Sequence, residues 1–129
     1  MTSPIAKPSF AAMPTIRDVV KALHAREGVE AVIVLGRDGL TIDAVATDGL
    51  DTEGLAALVP SVVASCTRLG SAATRGDFTI GAVEYGNGLI VIAALSSDAL
   101  LAMLVGGGTN IGGLLYELHR HKPAIAGLL

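Results

Sequence analysis

The sequence predicts an α/β chain of the α+β kind: a three-layer α/β/α sandwich on a five-stranded, mostly antiparallel sheet, with elements in the order α-ββ-α-βββ-α. Three observations carry that reading. Turn residues cut the most apolar stretch, Phe78 to Val105, into three short strands. Apolar residues recur at helical spacing in three other segments. The expected strands are apolar on both faces, so helices must cover both.

The first fourteen residues, MTSPIAKPSFAAMP, hold Pro4, Pro8 and Pro14 and no apolar run long enough for a signal peptide. They read as a flexible arm (1–14) before a single domain (15–129). From Thr15, residues Ile16, Val19, Val20 and Leu23 follow the i, i+3, i+4, i+7 pattern of an amphipathic helix. Thr15 caps it with Asp18 at the third position, and Gly28 ends it. The β-branched stretch Val29 to Gly36, VEAVIVLG, is a strand. Asp38-Gly39 turns it into LTIDAVAT, with Leu35 expected opposite Ile42 and Val32 opposite Val45.

Asp48 to Thr52 caps a second helix whose apolar positions, Leu55, Leu58, Val59, Val62, Val63, Cys66 and Leu69, are wider than one stripe. Pro60 lies inside it and implies a kink or a split into two pieces. Its other side is small: Ala57, Ser61, Ala64 and Ser65. Those residues either let a second backbone approach closely, as in a dimer, or are ordinary weakly exposed positions.

The run from Leu89 is interrupted by Ser96, Ser97 and Asp98, which suits a turn between strands and not the middle of a bilayer. Upstream, Asn87-Gly88 is a tight-hairpin signal. With those two as the loop, Phe78, Ile80, Ala82, Val91, Ala93 and Leu95 share one face, and Val83, Tyr85, Ile90 and Ile92 the other. Thr109 or Asn110 then caps a third helix carrying Ile111, Leu114, Leu115 and Leu118, which Pro123 should kink or end. The first and third helices are expected on one side of the sheet and the second on the other. An edge strand remains, and pairing two copies edge to edge would bury it.

Composition narrows the function classes. Charged residues are 16% of the 129 and the mean hydropathy is +0.61, which points to further burial against a second chain. A net charge of -3, no basic stripe and 3% aromatics argue against nucleic acid. No membrane insertion is expected. Cys66 is the single cysteine, so no internal disulfide forms; with the arm lacking a signal, the expected compartment is the cytoplasm.

No catalytic constellation stands out, and the chain is read as a non-enzyme without cofactor or metal. Gly106 to Gly108, Gly112 and Gly113 lack the lysine of a phosphate loop, and Ile111 stands where a dinucleotide fingerprint needs its third glycine. A close-packed strand-to-helix turn explains them better. His119 and His121, two apart on a helix, point to different sides and with Arg120 and Lys122 place positive charge near a helix C-terminus. Cys66 has no neighbour that would lower its pKa and reads as a buried, inert thiol. Asp38, Asp43, Asp48, Asp51, Asp77 and Asp98 fall mostly in turns or caps.

The order of elements, the GRDGL hairpin, the strand pair EYGNGLIVIAAL and the closing helix GTNIGGLLYELHRHKPAIAGLL together resemble the Roadblock / dynein light chain family, over about residues 15 to 129. The resemblance implies a profilin-like fold and a homodimer with a sheet continuous across two chains and the second helices side by side. Bacterial members, of the gliding-motility type, act on small Ras-like GTPases, whereas eukaryotic members are adaptor subunits; a chain of one domain looks more like the bacterial type. By that resemblance the expected function is regulation of a Ras-like GTPase through its GTP-bound state, by repositioning the GTPase's own residues rather than inserting an arginine. Of the arginines, Arg37 at a hairpin tip and Arg75 after the second helix look free to reach outward. The expected partner surface is Ser61, Ser65, Arg68 and Arg75, and the expected dimer contact is Ala57, Ser61, Ala64 and Ser65. An adaptor that leaves turnover unchanged is the alternative. A small-molecule sensor is disfavoured by the scarcity of aromatic and convergent polar groups in the core.

Overall fold

The computed structural model describes residues 15–129; the expected arm lies outside the described residues. The elements are α1 (Ile16–His24), β1 (Val29–Gly36), β2 (Thr41–Ala46), α2 (Thr52–Ala72), β3 (Ile80–Tyr85), β4 (Gly88–Ala94), β5 (Ala99–Val105) and α3 (Ile111–Ala126). The five strands form one sheet in the order β2-β1-β5-β4-β3, and every pairing is antiparallel. This is the expected α-ββ-α-βββ-α sandwich.

Each helix starts on a polar cap. Thr15 Oγ1 accepts from the Asp18 N–H at 3.2 Å and donates to the Asp18 carboxylate at 2.9 Å. Asp51 accepts from the Gly54 N–H at 3.0 Å, and Asn110 from the Gly113 N–H at 3.1 Å. Asn110 is therefore the third cap, while the Thr109 hydroxyl donates to the Gly106 carbonyl at 2.8 Å. Thr15→Ala removes an acceptor for an otherwise unpaired helix N–H and should cost about 1 kcal/mol of stability by urea titration.

Two layers of core flank the sheet. On one side Val19, Val20 and Leu23 of α1 and Leu114, Leu118 and Ile125 of α3 pack on Val32, Val34 and Met103. On the other, Ala56, Val59 and Val63 of α2 pack on Ile33, Leu35, Ile92, Leu100 and Ala102. β5 lies at the centre with six of its seven residues buried, which is why ALLAMLV is apolar throughout and not alternating.

The structure corrects several local expectations. Val32 pairs with Val45, but Leu35 pairs with Thr41 and not Ile42. The turn sets this: Gly36 and Gly39, the latter at φ +87°, close it through Gly36 N–H to Leu40 O at 2.9 Å and Gly39 N–H to Gly36 O at 3.0 Å. That closure leaves one β2 residue over, and a bulge absorbs it between Val34 and Leu35.

In the second hairpin Tyr85 pairs with Gly88, so the loop is Gly86-Asn87. Among the described residues Thr74 alone of the non-glycines has positive φ, so Asn87 does not enter the primed turn its sequence suggested. Gly88 serves another purpose: a Cβ there would lie 2.3 Å from the Val105 carbonyl oxygen, and its φ is +138°. The pairing moves by two residues, an even number, so the face assignments of Ile80, Ala82, Val83, Tyr85 and the β4 residues survive. Phe78 is the exception. It precedes β3, where strand alternation no longer fixes its direction, and it packs on the α2 side.

Neither internal proline ends its helix. α2 is one continuous helix of 21 residues through Pro60, and α3 continues through Pro123 to Ala126. Buried anchors on both sides, Val59 and Val63 around Pro60 and Leu118 and Ile125 around Pro123, hold the helical path against the lost hydrogen bond. One consequence is that His119 to Lys122 lie before the last turn of α3 and not at its end.

Candidate protein-docking face

Of the wide apolar set on α2, Val59 and Val63 with Ala56 are buried against the sheet. Leu58, Val62 and Leu69 are 66%, 40% and 70% exposed. At about 100° per residue these three fall on the side turned from the sheet, next to Ser61 and Ser65, which lie opposite Ala56, Val59 and Val63. The breadth of the apolar arc was visible in the sequence; which half would be uncovered was not. The helix is long and apolar enough to match a membrane span by length and composition, and little of it is buried. Its inner stripe is nonetheless committed to the sheet, so the outer stripe is a surface in search of cover.

Every residue of the expected partner surface and dimer contact can be placed. Ala57, Ser61, Ala64, Ser65 and Arg68 are exposed along the outer side of α2. Arg68 donates to the Ser65 hydroxyl at 3.2 Å, and Ser61 turns its hydroxyl back to the Leu58 carbonyl at 2.9 Å. Arg75 is exposed beyond the helix, its N–H bonded to Gly70 O at 2.8 Å. Among the described residues the ion pairs are Arg17–Asp43 and Arg26–Glu117, so the Arg68 and Arg75 guanidinium groups face water without a carboxylate.

Arg37 is not free as the sequence suggested. Its backbone N–H donates to Asp98 O at 3.0 Å and its side chain to Ser96 O at 3.1 and 3.4 Å, tying the first hairpin to the β4–β5 turn.

The sheet contributes a second uncovered region. On the α2 side of β3, Val83 and Tyr85 are 43% and 57% exposed, because α2 lies chiefly over β1 and β2. β3 is also an unpaired edge, regular in its register with β4, whereas the opposite edge β2 carries the bulge. A flat, regular edge is the one suited to pairing with another chain.

Catalytic and metal readings gain nothing from the geometry. No group of His, Cys, Asp and Glu able to hold a metal ion occurs among the described residues. Cys66 is half-buried, less enclosed than expected, because it lies at the flank of the inner stripe of α2. The glycine loop is looser than a close-packed turn: Gly107 and Gly108 face open space, at the mouth of a cleft of about 630 Å³. Arg26 at that cleft is already paired with Glu117.

The Roadblock/LC7 domain family matches residues 15–105, and the chain belongs to that family. Among solved structures it is similar to MglB of Myxococcus xanthus, with a TM-score of 0.79 at 18% identity over 88% of this chain and 93% of that one. It is also similar to the gliding protein MglB of Thermus thermophilus, at 0.76 and 15% over 88% and 87%. A Roadblock/LC7 domain from Streptomyces avermitilis aligns at 0.72 and 20% over 86% and 91%. At these identities the likeness is one of fold. No curated protein matches the chain by sequence.

Proposed function

We propose that this Roadblock/LC7 chain is a non-catalytic, homodimeric, cytoplasmic regulator of a small Ras-like GTPase, which binds the GTP-bound state and modulates hydrolysis. The single observation that carries the reading is the uncovered outer side of α2, apolar at Leu58, Val62 and Leu69 and small at Ala57, Ser61, Ala64 and Ser65. Membership of a family whose bacterial members act on such GTPases supports the partner class.

In this reading two α2 helices lie side by side through that stripe, and two β3 edges join the sheets into one. Ser61 and Ser65 are shared between that seam and the face turned to the GTPase, which Arg68 and Arg75 extend beyond the seam. Phosphoryl transfer depends on positioning and charge stabilisation, so a regulator can act by preferring the conformation in which the GTPase's own groups are in place. The scarcity of convergent polar side chains on this face fits that mode better than insertion of a catalytic group.

Edge pairing has its own test. In a hairpin with a two-residue loop, Tyr85 and Gly88 exchange both hydrogen bonds, and Thr79 O accepts from Ala94 N–H at 2.9 Å. Ile80, Ala82 and Glu84 therefore turn their N–H groups to the free edge. Ala82→Pro removes one of those donors while sparing the β3–β4 ladder. It should yield a folded protein that no longer dimerises, read by light scattering and circular dichroism.

For the GTPase surface, the experiment is co-elution with the Ras-like GTPase of the same genome, loaded with a GTP analogue or with GDP. Binding selective for the analogue, lost in an Arg68→Glu, Arg75→Glu double variant that stays dimeric, is the expected result. Undiminished binding by that variant would show the surface to be elsewhere.

A further inference from the structure

A second cleft, of about 620 Å³, opens at the end of the sheet between the later halves of α2 and α3, away from the outer side of α2. Arg37, from the first hairpin, and Lys122, from α3, both line it, with Ser97 and Thr79 as further polar residues and Phe78 and Pro123 as apolar ones. The polar accounting there is unbalanced. Arg37 spends donors on the Ser96 carbonyl, and Lys122 gives one to the Thr79 carbonyl at 3.2 Å. Among the described residues neither cation is in an ion pair, and Asp77, the one carboxylate in the lining, is not in one either. Guanidinium and ammonium donors are thus left over in a half-enclosed space that holds two positive charges against one negative.

We infer that this cleft binds a phosphate-bearing small organic molecule, its phosphoryl group between Arg37 and Lys122 and its apolar part against Phe78 and Pro123. A phosphoryl group carries about -1.5 to -2 charges and three acceptor oxygens, enough to use the spare donors of both cations, where a single neutral acceptor would not. Arg37 is prepositioned for this by its bonds to the β4–β5 turn, so little rotamer freedom is lost on binding. Burial pushes the Lys122 ammonium below its ordinary range, and an adjacent anion offsets that desolvation. Because the lining joins α2, α3 and the β4–β5 turn, an occupant would bridge both helical layers, independently of any GTPase contact.

The test is titration of the full chain with phenyl phosphate, inorganic phosphate and benzoate at constant ionic strength, followed by calorimetry and by proton–nitrogen correlation spectra. Saturable shifts confined to Thr79, Ser96–Asp98 and Lys122 are expected, with phenyl phosphate tighter than the inorganic ion. Lys122→Gln and Arg37→Gln should each weaken binding about tenfold, Asp77→Asn should tighten it, and Lys21→Gln on α1 should leave it unchanged. Since Arg37 also holds a turn, Asp77→Asn gives a reading that does not depend on the fold of the Arg37 variant. Shifts that never saturate, an equal loss in Lys21→Gln, or benzoate binding as tightly as phenyl phosphate would overturn the assignment.

Discussion

A Val62→Glu, Leu69→Glu double variant should be folded and monomeric under conditions where the proposed wild-type dimer forms. Both side chains are exposed on the outer side of α2, so the isolated fold loses no core contact and circular dichroism should not change. In the proposed dimer both positions lie in the α2–α2 seam, where glutamate carboxylates would be desolvated and crowded together in an apolar contact. Truncation of an interface hot spot costs about 2 kcal/mol or more, and like-charge juxtaposition costs several; with both effects placed in the seam, the dissociation constant should rise by at least about a hundredfold. Sedimentation velocity over a concentration series reads it directly. A dimer of unchanged strength would remove α2 from the interface. Leu55, which sits on the same helix but packs toward the α2-side core, should instead lose stability on the same substitution, separating interface from core.

Leu118→Ala should cost about 2–5 kcal/mol, the range for emptying a fully buried leucine site. Leu118 has no exposed surface and packs in the cluster that also holds Val20, Leu23 and Met103. The family match stops at residue 105, yet Leu114, Leu118 and Ile125 of α3 complete one face of the sheet. That packing supports 15–129 as a single unit of folding. Urea unfolding should show one transition shifted to lower denaturant, whereas a change under about 1 kcal/mol, the scale of a surface substitution, would mean that α3 contributes little to the core.

The elements whose pattern and packing agree were readable in the sequence. α1 shows its stripe and its N-cap, and Thr15, Val19, Val20 and Leu23 do what their spacing says. The expected closing glycine does not end it, because the helix stops at His24 on an Ala25 cap and Gly28, at φ +85°, turns the chain into β1 instead. Strand β1 and the three-layer division follow from apolar content and the need to cover two faces. Turn details were less accessible, because a glycine serves two ends: Gly88 reads as a turn residue but is needed where Val105 O comes close. The prolines misled for a related reason, since local breaking tendency yields when tertiary contacts on both sides hold a helix. The candidate docking face was half legible. Small residues on α2 drew attention to Ser61 and Ser65, but Leu58, Val62 and Leu69 could be told from core only once the direction of the helix over the sheet was known. Arg37 looked free because its acceptor, the Ser96 carbonyl, is 59 residues away in the chain.

The most direct measurement is GTP turnover by the Ras-like GTPase of the same genome with and without this protein, using wild type and the Val62→Glu, Leu69→Glu variant. Acceleration by the wild type at stoichiometric concentration, lost in the monomeric variant, is the predicted result. An unchanged rate despite tight binding would contradict the regulator and leave a dimeric adaptor in its place.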